Sequence, residues 1–258
     1  MKTLSDVVAQ ARKSQIFEPD NFWARYNTCA EEIISSVGEC GIRYDGLNIL
    51  DIGSGDGIID LSVTQRTGCK LIGIDTIVTD KKVLLSGAAR YGVALKRGSL
   101  DFELSSNGLG QLGDEYFDHA FSRDVFEHVQ EPVSLLKAIH RVLKPNGTLC
   151  IQVWPFWHSE WGAHLFERQE HWEHLVRSQD EILSRWEGIW QAKTSYESCA
   201  RTTLDDLQRA CLVSGFRAMR VELVTPVFSP PEFADHLRWS EMGIAGVKVV
   251  LKKVGSRV

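Results

Sequence analysis

The stretch Leu50-Asp51-Ile52-Gly53-Ser54-Gly55-Asp56-Gly57 carries an apolar run into a helical pattern through three alternate glycines. Glycine is needed in such a turn because a Cβ would keep the backbone from approaching a ligand. Alone, the turn is compatible with several nucleotides and with no ligand at all. Three features narrow it. The next apolar run ends in Gly73-Ile74-Asp75, which places a carboxylate close to the ~20-residue spacing at which an acid accepts hydrogen bonds from a ribose diol. A dinucleotide fingerprint counted from Gly53 would need glycine at position 58, where Ile58 stands. Asp51, at the strand end, is ill suited to a pyrophosphate and well suited to the ammonium of an amino acid. The turn points to a zwitterionic nucleoside in preference to NAD.

Working outward, short apolar runs alternate with longer helical patterns over residues 47–153, the signature of βαβ units around a parallel sheet. The spacing predicts strands over residues 47–52, 69–75, 93–97, 117–122 and 148–153. Gly68 ends the first intervening helix, Thr79 caps the second and Gly92 ends it. Leu135, Leu136, Ile139, Val142 and Leu143 recur at helical spacing before a Pro145-Asn146-Gly147 turn. Thr203 caps a further helix through Leu204, Leu207 and Leu212 to Gly215, and strands follow over residues 219–224 and 247–251. The expected fold is α/β, a Rossmann-like doubly wound and mostly parallel sheet with an aromatic-rich inserted cap. Residues 1–45 read as an N-terminal helical segment, with an amphipathic helix over 20–40 carrying Phe22, Trp23, Tyr26, Ile33 and Ile34. Residues 46–258 read as one domain with a cap over about 154–200 and a second insertion over about 225–246, which holds Pro226, Pro230 and Pro231.

The chain has 258 residues, 43% hydrophobic and 24% charged, enough for a sizeable core. Its 29 Lys and Arg against 34 Asp and Glu give a formal charge of -5, with no basic cluster of the kind that binds nucleic acid. Six cysteines stand far apart and form no CxxC pair, so they read as buried free thiols. No run of ~18 apolar residues and no signal-peptide core occur, so a cytoplasmic protein without a membrane partner is expected.

Further motifs follow in order: Tyr116-Phe117-Asp118, Asp124-Val125-Phe126-Glu127-His128-Val129 and Arg141-Val142-Leu143-Lys144-Pro145-Asn146-Gly147. Together with the glycine turn and Gly73-Ile74-Asp75, they make the chain resemble a class I S-adenosylmethionine-dependent methyltransferase, of the branch similar to ubiquinone-type and other small-molecule O-methyltransferases. The resemblance implies that S-adenosylmethionine binds beside Asp51, Gly53, Ser54 and Gly55, with Asp75 and Thr76 on its ribose. It implies Ser99 and Leu100 near the adenine, where the family commonly places an acid, and Ser122 and Arg123 near the methionine portion. Trp23 or Tyr26 could cover the cofactor, although core packing explains either as well.

Methyl transfer needs collinear alignment, exclusion of water and, for a hydroxyl acceptor, a base. The cap places Trp154, Trp157, Trp161, Trp172, Trp186 and Trp190 in one segment, as walls for a small-molecule acceptor or as packing for the cap. His128 and His164 are the candidate general bases, since imidazole titrates near neutrality. Asp124, Glu127 and His128 fall at three- and four-residue spacing after the fourth strand. The resemblance extends to the divalent-metal motif of small-RNA 2′-O-methyltransferases, with His164 as fourth ligand. The same Glu-His pair also occurs without a metal, anchoring the turn. His171 and His174, flanked by Glu170 and Glu173, read as a solvated face. Methylation of RNA or a tRNA nucleoside is the rival enzyme reading, disfavoured by the acidic charge. A cofactor-binding partner subunit without turnover is the rival from another class. The oligomeric state and the methylated atom are not legible.

Overall fold

A computed structural model describes residues 4–105, 109–165, 170–187, 189–229, 231–232 and 238–254. Pro230 lies outside the described residues, as does the side chain of Trp190. Strands β1 (Asn48–Ile52), β2 (Lys70–Asp75), β3 (Ser99–Leu104), β4 (Phe117–Arg123), β5 (Leu143–Val153), β6 (Phe216–Val224) and β7 (Gly246–Lys253) form one sheet. Their order is β3-β2-β1-β4-β5-β7-β6. All pairs are parallel except those of β7, which runs antiparallel to β5 and β6. The central strands β1 and β4 are buried almost throughout because helices cover both faces, which is why they read as unbroken apolar runs. The strand order reverses between β1 and β4, so a crevice opens at their carboxyl ends.

The third strand falls at Ser99–Leu104 and not at residues 93–97. As an edge strand it alternates, with Leu100 buried, Phe102 half-buried and Asp101 exposed, whereas Val93 and Leu95 pack from outside the sheet. An apolar run is the wrong signal for a strand with one open side.

Helix α4 (Ile58–Thr67) begins at Gly57 and ends at Gly68, both with left-handed backbone. Helix α5 (Lys81–Arg90) is capped by Asp80, whose side chain accepts from the Lys82 and Val83 amides. Thr79, expected as that cap, donates its hydroxyl to the Gly55 carbonyl at 2.6 Å. Helix α6 (Pro132–Val142) buries Leu136, Ile139 and Val142 as the periodicity predicts. The Pro145-Asn146-Gly147 turn is looped out within β5: Phe117 faces Leu143 and His119 faces Thr148 across the bulge, with Asn146 at φ 64.

Before the sheet, α1 (Leu4–Ile16) lies within the segment expected to be helical, although its polar sequence sets no bounds for it. Then α2 (Pro19–Trp23), a π-helical stretch Ala24–Cys29 and α3 (Ala30–Gly38) run on as one rod, starting at Pro19 with Glu18 as N-cap. Phe22 stacks on Tyr91 at 4.4 Å and on Tyr26 at 5.5 Å, with Trp23 edge-on to Tyr26 and Tyr91. These aromatics pin the rod to the end of α5.

Between β5 and α9 (Leu204–Val213) lie α7 (Gln179–Ser184) and α8 (Trp190–Ser198). Trp157, Leu165, Ile182 and Tyr196 form a small core there, and Trp172 is buried beside it. His174 and Glu173 are buried as well, not solvated: His174 Nε2 lies 2.6 Å from the Trp157 carbonyl, and Arg177 and Arg185 both bridge Glu173. His171 stacks on Phe228 at 3.7 Å. Glu160 accepts the Val227 and Phe228 amides at 3.1 and 3.0 Å, tying this segment to the one after β6. A short helix, α10 (Trp239–Met242), precedes β7. The Thr203 cap forms a reciprocal pair with Asp206, and all six cysteines are free.

Candidate functional site

A cavity of about 700 Å³ opens at the carboxyl ends of β1, β2 and β4, at the strand-order reversal. Of the residues expected around a cofactor, Asp51, Gly53, Ser54, Gly55, Asp75, Thr76 and Arg123 line it, together with Asp124 and His128. Three expected residues lie elsewhere. Ser99 begins β3 opposite Lys70, at the amino end of the sheet, and Leu100 is fully buried in the core beside it. The residue at the proper end of β3 is Ser105, which does line the cavity. Ser122 is buried and donates to the Ile52 carbonyl at 2.9 Å, so it braces two strands.

The glycine turn spends four of its five amides within the fold. The Gly53 and Ser54 amides both donate to the Ile74 carbonyl, the Gly57 amide to the Ser54 carbonyl, and the Gly55 amide to Asp75 Oδ2. A phosphate cradle works by pointing such N–H groups at the ligand. Here they are spent within the fold. Gly53, at φ 88, packs so closely on Val125 that any Cβ would overlap that side chain. A Cβ at Gly55, at φ 59, would instead project into open space. The loop therefore offers a bare backbone wall flanked by carboxylates, which suits a nucleoside with a cationic tail.

Asp51 is buried at the end of β1, and burial raises its pKa well above the usual carboxylate range. Neither oxygen of Asp60 meets a hydrogen-bond donor among the described residues, and burial pushes this neighbouring carboxyl up to about 7. An ammonium beside Asp51 would supply the positive charge that this buried acidic pair lacks.

Three elements outside the sequence motifs complete the walls. Arg12 of α1 donates to Asp75 Oδ1 at 2.9 Å and to the Ile77 carbonyl at 2.7 Å. Asn21, Ala24, Arg25 and Cys29 line the cavity from the N-terminal rod, spaced as one helical face. Trp23 and Tyr26 lie on the other face and are absent from the lining. Arg25 bridges Asp56, and Arg123 bridges Glu32 and Asp124. The helical stripe was readable from the sequence once the rod's inner face is known; α1 gave no such signal.

The Asp124 to His128 segment is not an α-helical turn. Asp124 has φ 53 and Phe126–His128 is a single 3₁₀ turn, so three- and four-residue spacing does not gather these side chains. Asp124 and His128 line the cavity, whereas Glu127 is buried and its main-chain carbonyl accepts the Ala200 amide. His164 Nε2 lies 3.4 Å from the Pro155 carbonyl, and its ring is edge-on to His128 at 4.9 Å. Among the described residues no group of three or more His, Cys, Asp or Glu is placed to hold a metal ion. None of the tryptophans of residues 154–200 is among the described residues lining this cavity; Trp157 and Trp172 are packing.

His128 Nδ1 lies 2.9 Å from Ser198 Oγ, and the Ser198 hydroxyl donates to the Ser195 carbonyl at 2.9 Å. With its proton spent there, Ser198 accepts from Nδ1–H. Burial lowers the His128 pKa below its usual value, so the ring is neutral at pH 7 and carries its lone pair on Nε2. Burial also pushes Asp124 up to about 6 and His164 down to about 4.

The model of a family described as a methyltransferase domain matches residues 22–220. The chain is 31% identical over 105 residues to a ubiquinone biosynthesis O-methyltransferase of Ruegeria pomeroyi, covering 40% of each chain. It is 30% identical over 106 residues to phosphoethanolamine N-methyltransferase 3 of Arabidopsis thaliana, covering 41% of this chain and 21% of that one. The chain thus spans less than half the length of these curated relatives. The fold resembles that of a Haemonchus contortus phosphoethanolamine N-methyltransferase 2 in complex with S-adenosyl-L-methionine, with a TM-score of 0.57 at 18% identity, over 87% of this chain and 53% of that one.

Proposed function

Because this chain belongs to the class I S-adenosylmethionine-dependent methyltransferases, we propose that it methylates a hydroxyl oxygen of a small molecule bound at the carboxyl end of β4, with His128 as the general base. The bound cofactor supplies an electrophilic methyl group on a sulfonium. The chain's residues do the rest. Asp75 and Thr76 would hold the ribose, Asp51 would face the ammonium, and the bare backbone of Gly53 and Gly55 would let the methionine portion lie close. Ser105, at the end of β3, stands where the adenine end would come.

The observation that carries the acceptor reading is the state of His128. It lines the cavity, its Nδ1 is held by Ser198, and its neutral Nε2 can take a hydroxyl proton as the oxygen attacks. An amine attacks through its own lone pair once it is unprotonated, whereas a hydroxyl gains nucleophilicity as its proton is taken during attack. Residues 154–200 act through Ser198 and His164, which fix the base, while their tryptophans hold the segment together.

The test is a radiolabelled methyl-transfer assay against phenol-, catechol- and amine-bearing small molecules, with RNA as a further arm. Transfer to a hydroxyl that falls about 10²-fold or more in His128→Ala, with S-adenosylhomocysteine affinity retained, supports the reading. Transfer to amines or RNA that is indifferent to His128 overturns it.

A further inference from the structure

One outer edge of the sheet is formed by β6. Among the described residues β6 has one strand neighbour, β7, so its other edge is open. That strand exposes Met219, Val221, Leu223 and Val224 at 46, 55, 49 and 41% of their surface. An unpaired edge strand is a template for another strand, and β6 runs for nine residues, with Arg217, Arg220 and Glu222 set among its apolar side chains.

The geometry specifies which strand fits. The Val224 carbonyl accepts the Ala245 amide, so Val224 directs its backbone groups toward β7. In an antiparallel pair residues alternate, which turns Glu222 and Arg220 inward as well and leaves the N–H and C=O of Val221 and Leu223 on the open edge. A second β6 running antiparallel can bond these groups only in registers that match outward residues to outward residues. Centring on Glu222 would set Glu222 against its own copy. Centring on Arg220 would do the same with guanidinium groups. Centring on Leu223 leaves Arg220 opposite Pro226, beyond the strand. Centring on Val221 sets Val221 against Val221 and Arg220 against Glu222 twice over by symmetry.

We propose that β6 is a self-complementary interface through which two copies of this chain pair about a two-fold axis at Val221, joining their sheets into one. The axis makes the contact isologous, so it closes as a dimer and does not propagate. Val221 and Leu223 stand on the same face as Val249 and Val247, whose other neighbours are α6 and α9, and pairing extends that apolar face across the axis. Arg220 already bridges Glu39 and Glu222 of its own chain, and the second copy adds its Glu222 to that cluster. The bulge between Ala218 and Arg220 limits pairing to the last part of the strand, so the dimer is of the weak, transient kind.

Sedimentation velocity over about 1–200 μM tests this, a range that brackets transient interfaces. The wild-type chain is expected to dimerise within it. Arg220→Glu and Glu222→Arg each place like charges together at two symmetric sites and are expected to weaken the dimer about tenfold or more, while the double exchange restores it. Thermal melts of the same variants confirm that each remains folded. A chain that stays monomeric throughout the range overturns the proposal, as does a dimer indifferent to the single exchanges.

Discussion

A methyl group at Gly53 would overlap the Val125 side chain and would require an L-residue at φ 88. Gly53→Ala is expected to cost about 1–3 kcal/mol, with about half recovered in the Val125→Ala background, because the overlap is then relieved and the backbone strain is not. Urea unfolding of the single and double variants measures both. At His128 the prediction concerns pH. Its lowered pKa keeps the ring neutral down past its usual 6.5, so the acid limb of kcat/KM should lie below that value and vanish with His128→Ala. His164 supplies a stability counterpart. Its folded pKa of about 4 lies below the unfolded value of 6.5, so its contribution is full above 6.5 and is lost as pH falls toward 4. His164→Asn, a residue suited to its φ of 60, should therefore gain on the wild-type chain in stability between pH 7.5 and pH 5. The motif residues Asp51, Gly53, Gly55 and Asp75 were legible because each does one job in a fixed place. Asp124 and Glu127 were not, because a single 3₁₀ turn with Asp124 at positive φ breaks the spacing that a helix would have kept.

At the scale of elements, α1 sets a condition on binding. Its Arg12 occupies Asp75 Oδ1, while the Ile77 and Gly55 amides and the Thr76 hydroxyl share the same carboxylate. A ribose diol must take the place of Arg12, whose pair with Asp75 is only partly exposed. Arg12→Ala should thus tighten S-adenosylhomocysteine binding several-fold, about 1 kcal/mol, measurable by calorimetry. Weaker binding in this variant would mean that Arg12 holds the cofactor and does not compete with it. Neither the bounds of α1 nor the place of β3 was readable. Among the described side chains of the helix only Ile16 is deeply buried, set among polar residues, and β3 alternates because it stands at an edge. That one misplaced strand carried Ser99 and Leu100 into the expected site and left Ser105 out. By contrast α4, α6 and α9 were legible from glycine ends, apolar stripes and the Thr203 cap, signals that belong to a helix whatever it packs on.

For the whole molecule, the alternation of runs was enough to give a doubly wound sheet, since right-handed crossovers leave few other arrangements. The placing of β7 between β5 and β6 follows from long-range pairing that no local pattern encodes. The sheet's reversal point, the spent amides of the glycine turn and the carboxylates of Asp51 and Asp75 converge on one claim: this cavity holds a zwitterionic nucleoside and not a pyrophosphate-bearing one. Thermal unfolding with S-adenosylhomocysteine or NAD at about 100 times an expected dissociation constant tests it most directly. The account predicts a rise of about 5–10 °C with S-adenosylhomocysteine, sharply reduced in Asp75→Asn, and none with NAD. No rise at saturating S-adenosylhomocysteine, or an equal rise with NAD, would contradict it.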